Sequence, residues 1–108
     1  MKTIDALRGI SAYPIPQRTI EEVATRRGVS LDNEATIAVL KSPRYNLATA
    51  DLLLWLSYAP AVAQGGQNYS FTDEQRVQMR NRASALFGEF ETDGAASNAV
   101  YGYKGSRL

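Results

Sequence analysis

Cysteine and histidine are both missing from the 108 residues of the chain. Without cysteine the chain can form no disulfide, no thiolate nucleophile and no soft metal site. Without histidine it lacks the side chain that most often acts as a general base near neutral pH. Zinc hydrolysis, Ser-His-Asp chemistry and Cys-His chemistry are therefore excluded, and an enzyme would depend on carboxylates, Lys, Tyr or Arg.

A strong excess of either charge is missing as well. The chain has 12 Lys and Arg residues against 11 Asp and Glu residues, which gives a formal net charge of +1. Proteins that bind nucleic acid usually carry a clear basic excess, because contacts with phosphate supply most of the affinity. We therefore expect no specific nucleic acid among the partners of this protein.

Long apolar runs are also lacking. The most apolar stretch, LATADLLLWLSYAPAVA, is interrupted by Asp51 and Pro60, and it is too short and too polar to span a bilayer. The stretch MKTIDALRGI contains Asp5 and no apolar run of the kind found in a signal peptide. The length predicts one domain, and we expect it to lie inside the producing cell without membrane contact.

Helical patterns cover most of the chain before residue 91. The clearest is FTDEQRVQMRNRASALFGEF, where Thr72 and Gln75 have the spacing of a capping box and apolar residues recur on one face. Residues 30–41 also tolerate a strand, and the fourth helix begins at a cap formed by Ser42–Pro43 or by Asn46. The predicted helices span residues 3–9, 19–27, 30–41, 47–59 and 72–90, and residues 64–70 are expected to form a flexible polar loop.

These patterns predict an all-α fold, namely a small bundle of four to five helices over residues 1–93 and an extended C-terminal tail over residues 94–108. The fourth helix is apolar around most of its circumference, which is typical of a central helix. Its Asp51 is expected to pair with an arginine or to lie on a polar strip. We place the core at Leu53, Trp55, Leu56, Leu86, Phe87 and Phe90.

The stretch TIEEVATRRGVS, from Thr19 to Ser30, resembles the first helix and turn of a DNA-binding helix-turn-helix. In that interpretation residues 19–41 form the motif and Arg26, Arg27 and Asn33 contact DNA. The recognition helix would then begin with two acidic residues near Asn33, which would face phosphates and the acceptor-rich groove edge. A plain helix explains the same stretch, with a capping box at Thr19 and a left-handed cap at Gly28.

No arrangement of residues predicts catalysis or a cofactor. The carboxylates of Glu89, Glu91 and Asp93 cluster in sequence, but alternate residues on a helix do not face one another, so we expect a solvated helix end. QGGQ lacks the lysine and the strand-to-helix context of a phosphate-binding loop. We therefore expect no catalytic residue, no metal and no cofactor, and a protein that is not an enzyme.

The C-terminal tail is the remaining candidate for a binding segment. It contains Tyr101, Tyr103, Lys104, Arg107 and Leu108, and tyrosine and arginine are over-represented at the energetic centres of interfaces. We interpret these five residues as partner-binding residues of an arm that docks on a neighbouring subunit. The alternatives are a loose chain end and a strap across the protein's own core.

The order of these segments resembles the small head-tail connector proteins, also called adaptor or neck proteins, of tailed bacteriophages and prophages. The resemblance is carried by the helix that ends in RRGVS, the apolar helix LATADLLLWLSYAP, the polar loop, the helix FTDEQRVQMRNRASALFGEF and the tail with glycine and tyrosine. It covers residues 30–90 by pattern, and YPIP has no counterpart in it. It implies a non-enzymatic helical protein that forms a ring between portal and tail, with its own copies and portal or tail proteins as partners. The expected location is the virion, assembled in the cytoplasm of the bacterial host.

Overall fold

The computed structural model describes residues 1–91, which form a mainly helical fold. The mainly helical class predicted from the sequence is confirmed, although a small sheet joins the helices. The predicted tail, residues 94–108, lies outside the described residues. The elements within residues 1–91 are α1 (Thr3–Arg8), α2 (Gln17–Arg27), α3 (Ile37–Leu40), α4 (Pro43–Ser57), β1 (Val62–Gln64), β2 (Gln67–Tyr69) and α5 (Asp73–Phe90).

Helix α4 lies at the centre, with α1 and α2 on one side and α5 on another. Three groups of buried side chains hold these elements together. The first joins α1, α2 and α4, the second joins α4 to the YPIP segment, and the third joins α4 to α5. Their buried members are, in that order, Leu7, Ile20, Val23, Ala48 and Leu52; Tyr13, Leu56 and Ala59; and Ala50, Leu53 and Ala83.

The predicted core is correct in part: Trp55, Leu86 and Phe87 pack against buried clusters but are not themselves buried. Leu53 and Leu56 are buried, whereas Trp55 and the three predicted residues of α5, namely Leu86, Phe87 and Phe90, are only partly buried. The reason is that Ala83 is the buried residue of α5 where it contacts α4, and Leu86 and Phe87 lie beside that contact. Small side chains at Ala50 and Ala83 allow the two helices to approach closely, and the larger side chains of α5 flank that contact.

The start of α2 differs from the prediction, and its end agrees with it. The helix begins at Gln17 after Pro16, so Thr19 lies inside the helix and the predicted capping box with Glu22 is wrong. Proline fixes its own φ near the helical value and lets the helix begin earlier. At the other end Gly28 is left-handed, with φ 75°. Gly28 N–H donates to Thr25 O and Val29 N–H donates to Ala24 O, as in a Schellman motif.

The predicted helix over residues 30–41 is wrong except for its last turn, because only Ile37–Leu40 is helical. The backbone of the preceding segment bonds instead to the start of the chain. Thr3 N–H donates to Asn33 O at 2.8 Å and Ile4 N–H donates to Leu31 O at 3.2 Å. The first N–H groups of a helix have no partner within it, so residues 31–33 satisfy those of α1.

The expected flexible loop at residues 64–70 is an antiparallel β-hairpin in the structure. β1 pairs with β2 so that Val62 lies opposite Tyr69 and Gln64 opposite Gln67. Gly65 and Gly66 make the two-residue turn with φ of 61° and 77°. Positive φ at both central positions is the requirement of a type I′ turn, which Gly-Gly meets without steric cost.

The caps predicted for α4 and α5 are confirmed. Ser42 caps α4, with its hydroxyl oxygen accepting from Tyr45 N–H at 3.3 Å and with Pro43 in the first turn, so the Ser42–Pro43 alternative is correct. For α5, Thr72 and Gln75 form the predicted capping box. Gln75 N–H donates to the Thr72 hydroxyl oxygen at 3.1 Å, and Thr72 N–H donates to the Gln75 amide oxygen at 2.8 Å.

Candidate assembly surface

One side of α4 is only partly covered by its neighbours within residues 1–91. Leu47, Asp51, Leu54 and Tyr58 follow one another at the four- and three-residue spacing that places side chains on one face of a helix. Leu54 is 37% exposed and Tyr58 is 71% exposed, whereas Leu47 and Asp51 are half-buried. We call these four residues the α4 stripe. A helix that is apolar all round is normally buried all round, and the α4 stripe departs from that rule.

A groove runs between the α4 stripe and α2. Its volume is about 450 Å³. The apolar residues along it are Val23, Trp55 and Ala59, and the polar side chains at its rim include Glu22 and Arg26 of α2. Leu54 and Tyr58 also line it, so the groove and the stripe form one continuous surface. We call it the α2/α4 groove.

The guanidinium of Arg27 holds Asp51, one of the residues that line this surface. Its Nε donates to Asp51 Oδ2 at 2.6 Å and its Nη2 donates to Asp51 Oδ1 at 2.9 Å. Its Nη1 lies 3.5 Å from Glu91 Oε2, and its Cζ lies 5.7 Å from the centre of the Phe87 ring. The prediction that Asp51 pairs with an arginine is therefore confirmed.

This ion pair is largely enclosed. The side chains of Arg27 and Asp51 are 23% and 13% exposed. The hydrogen bond to Asp51 raises the pKa of Arg27 above its ordinary value, although burial acts in the opposite direction. Two parallel N–H···O bonds fix the geometry of both partners. The arrangement therefore joins the end of α2, the middle of α4 and the end of α5.

Arginines of α5 lie against the other end of the stripe. Arg80 Cζ is 5.5 Å from the centre of the Tyr58 ring, a distance at which a cation is attracted to an aromatic face. Arg76 Nη1 donates to Ser57 O at 3.0 Å, and its Cζ lies 5.9 Å from the Phe71 ring centre. These two arginines therefore contact residues at the end of α4 and in the segment before α5.

The geometry of a helix-turn-helix is absent from residues 19–41. No recognition helix follows Gly28, because residues 31–36 are not helical and α3 has four residues. Arg27, one of the proposed DNA contacts, is held by Asp51, and the carbonyl of Asn33 accepts from Thr3. Arg26 is exposed, but it lies at the rim of the α2/α4 groove. The DNA-binding interpretation thus loses the element that would read the bases.

The five partner-binding residues predicted in the tail, Tyr101, Tyr103, Lys104, Arg107 and Leu108, lie outside the described residues. Of the predicted carboxylate cluster, Glu89 is exposed, Glu91 contacts Arg27, and Asp93 also lies outside residues 1–91.

Within residues 1–91, no group of three His, Cys, Asp or Glu residues has the placement to hold a metal ion. No helix in the same range is long and apolar enough to cross a membrane.

Comparison of the chain with protein families, with curated proteins and with solved structures gave no match. Two features therefore bear on function, namely the α2/α4 groove with its stripe and the resemblance described above. Sequence reasoning missed the α4 stripe, because it gave Leu54 and Tyr58 no role. The available signal was that α4 has more apolar circumference than its neighbouring helices can cover.

Proposed function

We propose that the protein is a non-enzymatic structural subunit of a tailed phage or prophage particle. In this proposal it assembles with copies of itself into a ring between portal and tail, and its partners are its own copies and portal or tail proteins. The observation that carries the proposal is the exposure of Leu54 and Tyr58 in the α4 stripe. The resemblance of residues 30–90 to head-tail connectors supplies the kind of assembly.

The α4 stripe supports self-association because apolar area at Leu54 and Tyr58 is exposed. Aromatic side chains bury about 150–250 Å² each, and Tyr58 is 71% exposed. At roughly 25 cal/mol per Å², covering the exposed part of one such ring contributes about 3–4 kcal/mol before the costs of association. Leu54 adds a smaller amount because it is 37% exposed.

The surface chemistry also fits a contact between proteins. Tyrosine, tryptophan and arginine are the residue types enriched where interfaces gain most of their energy. Here Trp55, Tyr58 and Arg26 meet on one groove with polar side chains at its rim. An apolar centre within a polar rim is the usual composition of a specific interface. In a closed ring each subunit would present this surface to one neighbour.

A matched pair of variants tests the proposal. The first carries Leu54→Gln and Tyr58→Gln, and the control carries Ile37→Gln on α3, where Ile37 is 72% exposed and outside the stripe. Loss of about 2 kcal/mol of association energy raises the concentration at half-assembly by about thirtyfold. We expect that shift for the first variant and none for the control, measured by sedimentation velocity. Far-UV circular dichroism checks that both variants are folded.

Two results would count against the proposal. If the wild-type protein stays monomeric, the stripe is not an assembly surface. If the Ile37 control weakens assembly as much as the double variant does, the α4 stripe has no special part in it.

A further inference from the structure

We propose that a cavity between α4 and α5 binds a small aliphatic carboxylate. The apolar chain of this ligand would lie between the two helices, and its carboxylate would meet the guanidinium of Arg82. We call this space the α4/α5 cavity. None of the four residues of the α4 stripe lines it, so the inference goes beyond the proposed assembly function and does not depend on it.

The cavity lies where the second and third groups of buried side chains meet. Leu56 belongs to the group around Tyr13, and Leu53 belongs to the group that joins α4 to α5. Met79 packs against both groups, and a volume of about 280 Å³ stays open beside it. Protein interiors are normally close-packed, so a ligand at this place can add contacts that the fold itself lacks.

The walls of the cavity are apolar. They are formed by side chains that the fold buries fully or in part, namely Ile10, Leu53, Leu56, Phe71 and Met79. The Phe71 ring is held in place, since it stacks on the Tyr13 ring with centres 5.4 Å apart and Arg76 Cζ lies 5.9 Å from its centre. Such walls favour a ligand with an apolar chain, because removing apolar surface from water is favourable.

The dimensions of the cavity suit a small ligand. Its lining residues on α5 extend from Gln75 to Arg82, which corresponds to about 10 Å along the helix axis at 1.5 Å per residue. The volume of about 280 Å³ lies just below the roughly 300–1,000 Å³ of pockets that hold drug-sized molecules. A short aliphatic chain with one polar head group therefore fits the cavity better than a larger molecule does.

Charge at the rim selects the head group. Among the described residues that line the cavity, Arg82 alone is charged, and the polar residues Ser11, Gln75 and Gln78 are neutral. Arg82 makes no ion pair with another residue in the range 1–91. No Asp or Glu stands three or four positions from it in the sequence, so α5 itself offers it no carboxylate. A guanidinium can donate two parallel hydrogen bonds to a carboxylate, whereas it would repel a cationic head group.

The neighbouring amides give the ligand a direction. Gln78 precedes Arg82 by four residues and lies on the same face of α5, and its amide group can donate a further hydrogen bond. Gln75 is partly occupied, because its amide oxygen accepts from Thr72 N–H at 2.8 Å. The carboxylate therefore belongs at the Arg82 end of the cavity, and the aliphatic chain extends toward Gln75.

Methionine methyl signals test the inference in the full-length chain by nuclear magnetic resonance. The sequence has two methionines, namely Met79 in the cavity wall and Met1, which is 66% exposed and does not line the cavity. Sodium octanoate is titrated into methyl-labelled protein at low ionic strength, since Arg82 is exposed and salt screens its charge. We expect a saturable shift of the Met79 signal and none of the Met1 signal.

A neutral probe and a shorter probe separate the head group from the chain. 1-Octanol has the same chain length as octanoate without the charge, and it should bind the wild-type protein about tenfold more weakly. Hexanoate should also bind about tenfold more weakly than octanoate, because it lacks two CH₂ groups that the apolar walls would cover.

Arg82→Gln and Arg44→Gln form a matched pair of variants. Each removes one arginine from an exposed helical position, where glutamine is also a good helix former, and Arg44 does not line the cavity. We expect Arg82→Gln to weaken octanoate binding about tenfold and to leave octanol binding unchanged. Arg44→Gln should change neither.

Two kinds of result would overturn the inference. The absence of a Met79 shift, or equal shifts of Met1 and Met79, would show that octanoate does not enter the cavity. Equal affinities for octanoate and octanol, or equal weakening of octanoate binding by the two variants, would show that Arg82 does not select a carboxylate. Either result would leave the proposed assembly function standing, because that function is tested through the α4 stripe.

Discussion

Asp51→Asn is the substitution that tests the Arg27 ion pair most directly. The change keeps the shape of the side chain, removes its charge and places an amide N–H₂ where a carboxylate oxygen accepted from Arg27. Both hydrogen bonds, at 2.6 Å and 2.9 Å, involve the guanidinium. Only one of them can be kept in the variant, because the amide has a single oxygen acceptor.

The expected cost lies between two limits. Breaking a fully buried ion pair costs about 3–5 kcal/mol, whereas exposed pairs contribute about 0–1 kcal/mol. The two side chains are 23% and 13% exposed, which places this pair nearer the buried limit. Glu91 remains 3.5 Å from Arg27 and offsets part of the lost charge. We therefore expect Asp51→Asn to lower the free energy of unfolding by about 2 kcal/mol.

Urea denaturation measures this cost, and thermal unfolding gives a second reading. For a domain of about this size, 2 kcal/mol corresponds to a fall in Tm of roughly 8–16 °C. Both experiments are done at one low protein concentration, since assembly would add to the apparent stability. Asp32→Asn is the matched control because Asp32 is exposed and makes no ion pair within residues 1–91. It is expected to change the free energy by less than about 0.5 kcal/mol.

A double-mutant cycle with Arg27→Met separates the pair from other contacts of either residue. The coupling energy between Arg27 and Asp51 is expected to exceed about 1 kcal/mol. A cost for Asp51→Asn within the range of the control, or a coupling energy indistinguishable from zero, would refute the reasoning. The pair would then behave as an ordinary surface ion pair, and the anchoring of the end of α5 would need another explanation.

Two further predictions concern local structure. Thr72→Ala removes the hydroxyl that accepts from Gln75 N–H and should cost about 1 kcal/mol in urea denaturation. Thr19→Ala should cost less than about 0.5 kcal/mol, because Thr19 lies inside α2; equal costs would contradict the assignment of the caps. Gly66→Ala should cost about 1–2 kcal/mol because φ is 77° there. Gly88→Ala should stabilise the protein by about 0.5–1 kcal/mol, since Gly88 is helical with open space at its Cβ position; a loss at Gly88 or no cost at Gly66 would contradict the backbone described.

Features that depend on neighbouring residues were predictable from the sequence. The capping box of α5, the Ser42–Pro43 start of α4 and the left-handed Gly28 each follow from residues within one turn. The hairpin also depends on neighbouring residues, but the sequence analysis predicted a loop there. Gly65–Gly66 between VAQ and QNY carries the signal of a type I′ turn, but the polarity of the segment favoured a loop.

Features that depend on distant residues were not predictable in this way. Residues 31–33 are not helical because their carbonyls accept from Thr3 and Ile4, about thirty positions earlier in the chain. The helical pattern of residues 30–41 carries no information about that partner. Which apolar residues are buried in the core also depends on distant residues. Trp55 and Leu56 are adjacent and both apolar, but only Leu56 is buried.

The candidate surface followed in part from the sequence. An arginine partner for Asp51 was expected because a carboxylate within an apolar helix needs one, and the structure identifies it as Arg27. Which side of α4 stays only partly covered could not be predicted, because it depends on how α2 and α5 pack against it. The role of the C-terminal residues remains a prediction.

The central claim is that this protein assembles through the α4 stripe with its C-terminal segment as the docking arm. The most direct measurement is molar mass by light scattering over a concentration series, with the full-length chain and a version ending at Asp93. We predict masses above the 11.8 kDa of one chain that rise with concentration for the full-length protein, and their loss in the shortened version. A full-length protein that stays monomeric at every concentration, including in the presence of a purified portal protein, would contradict the account.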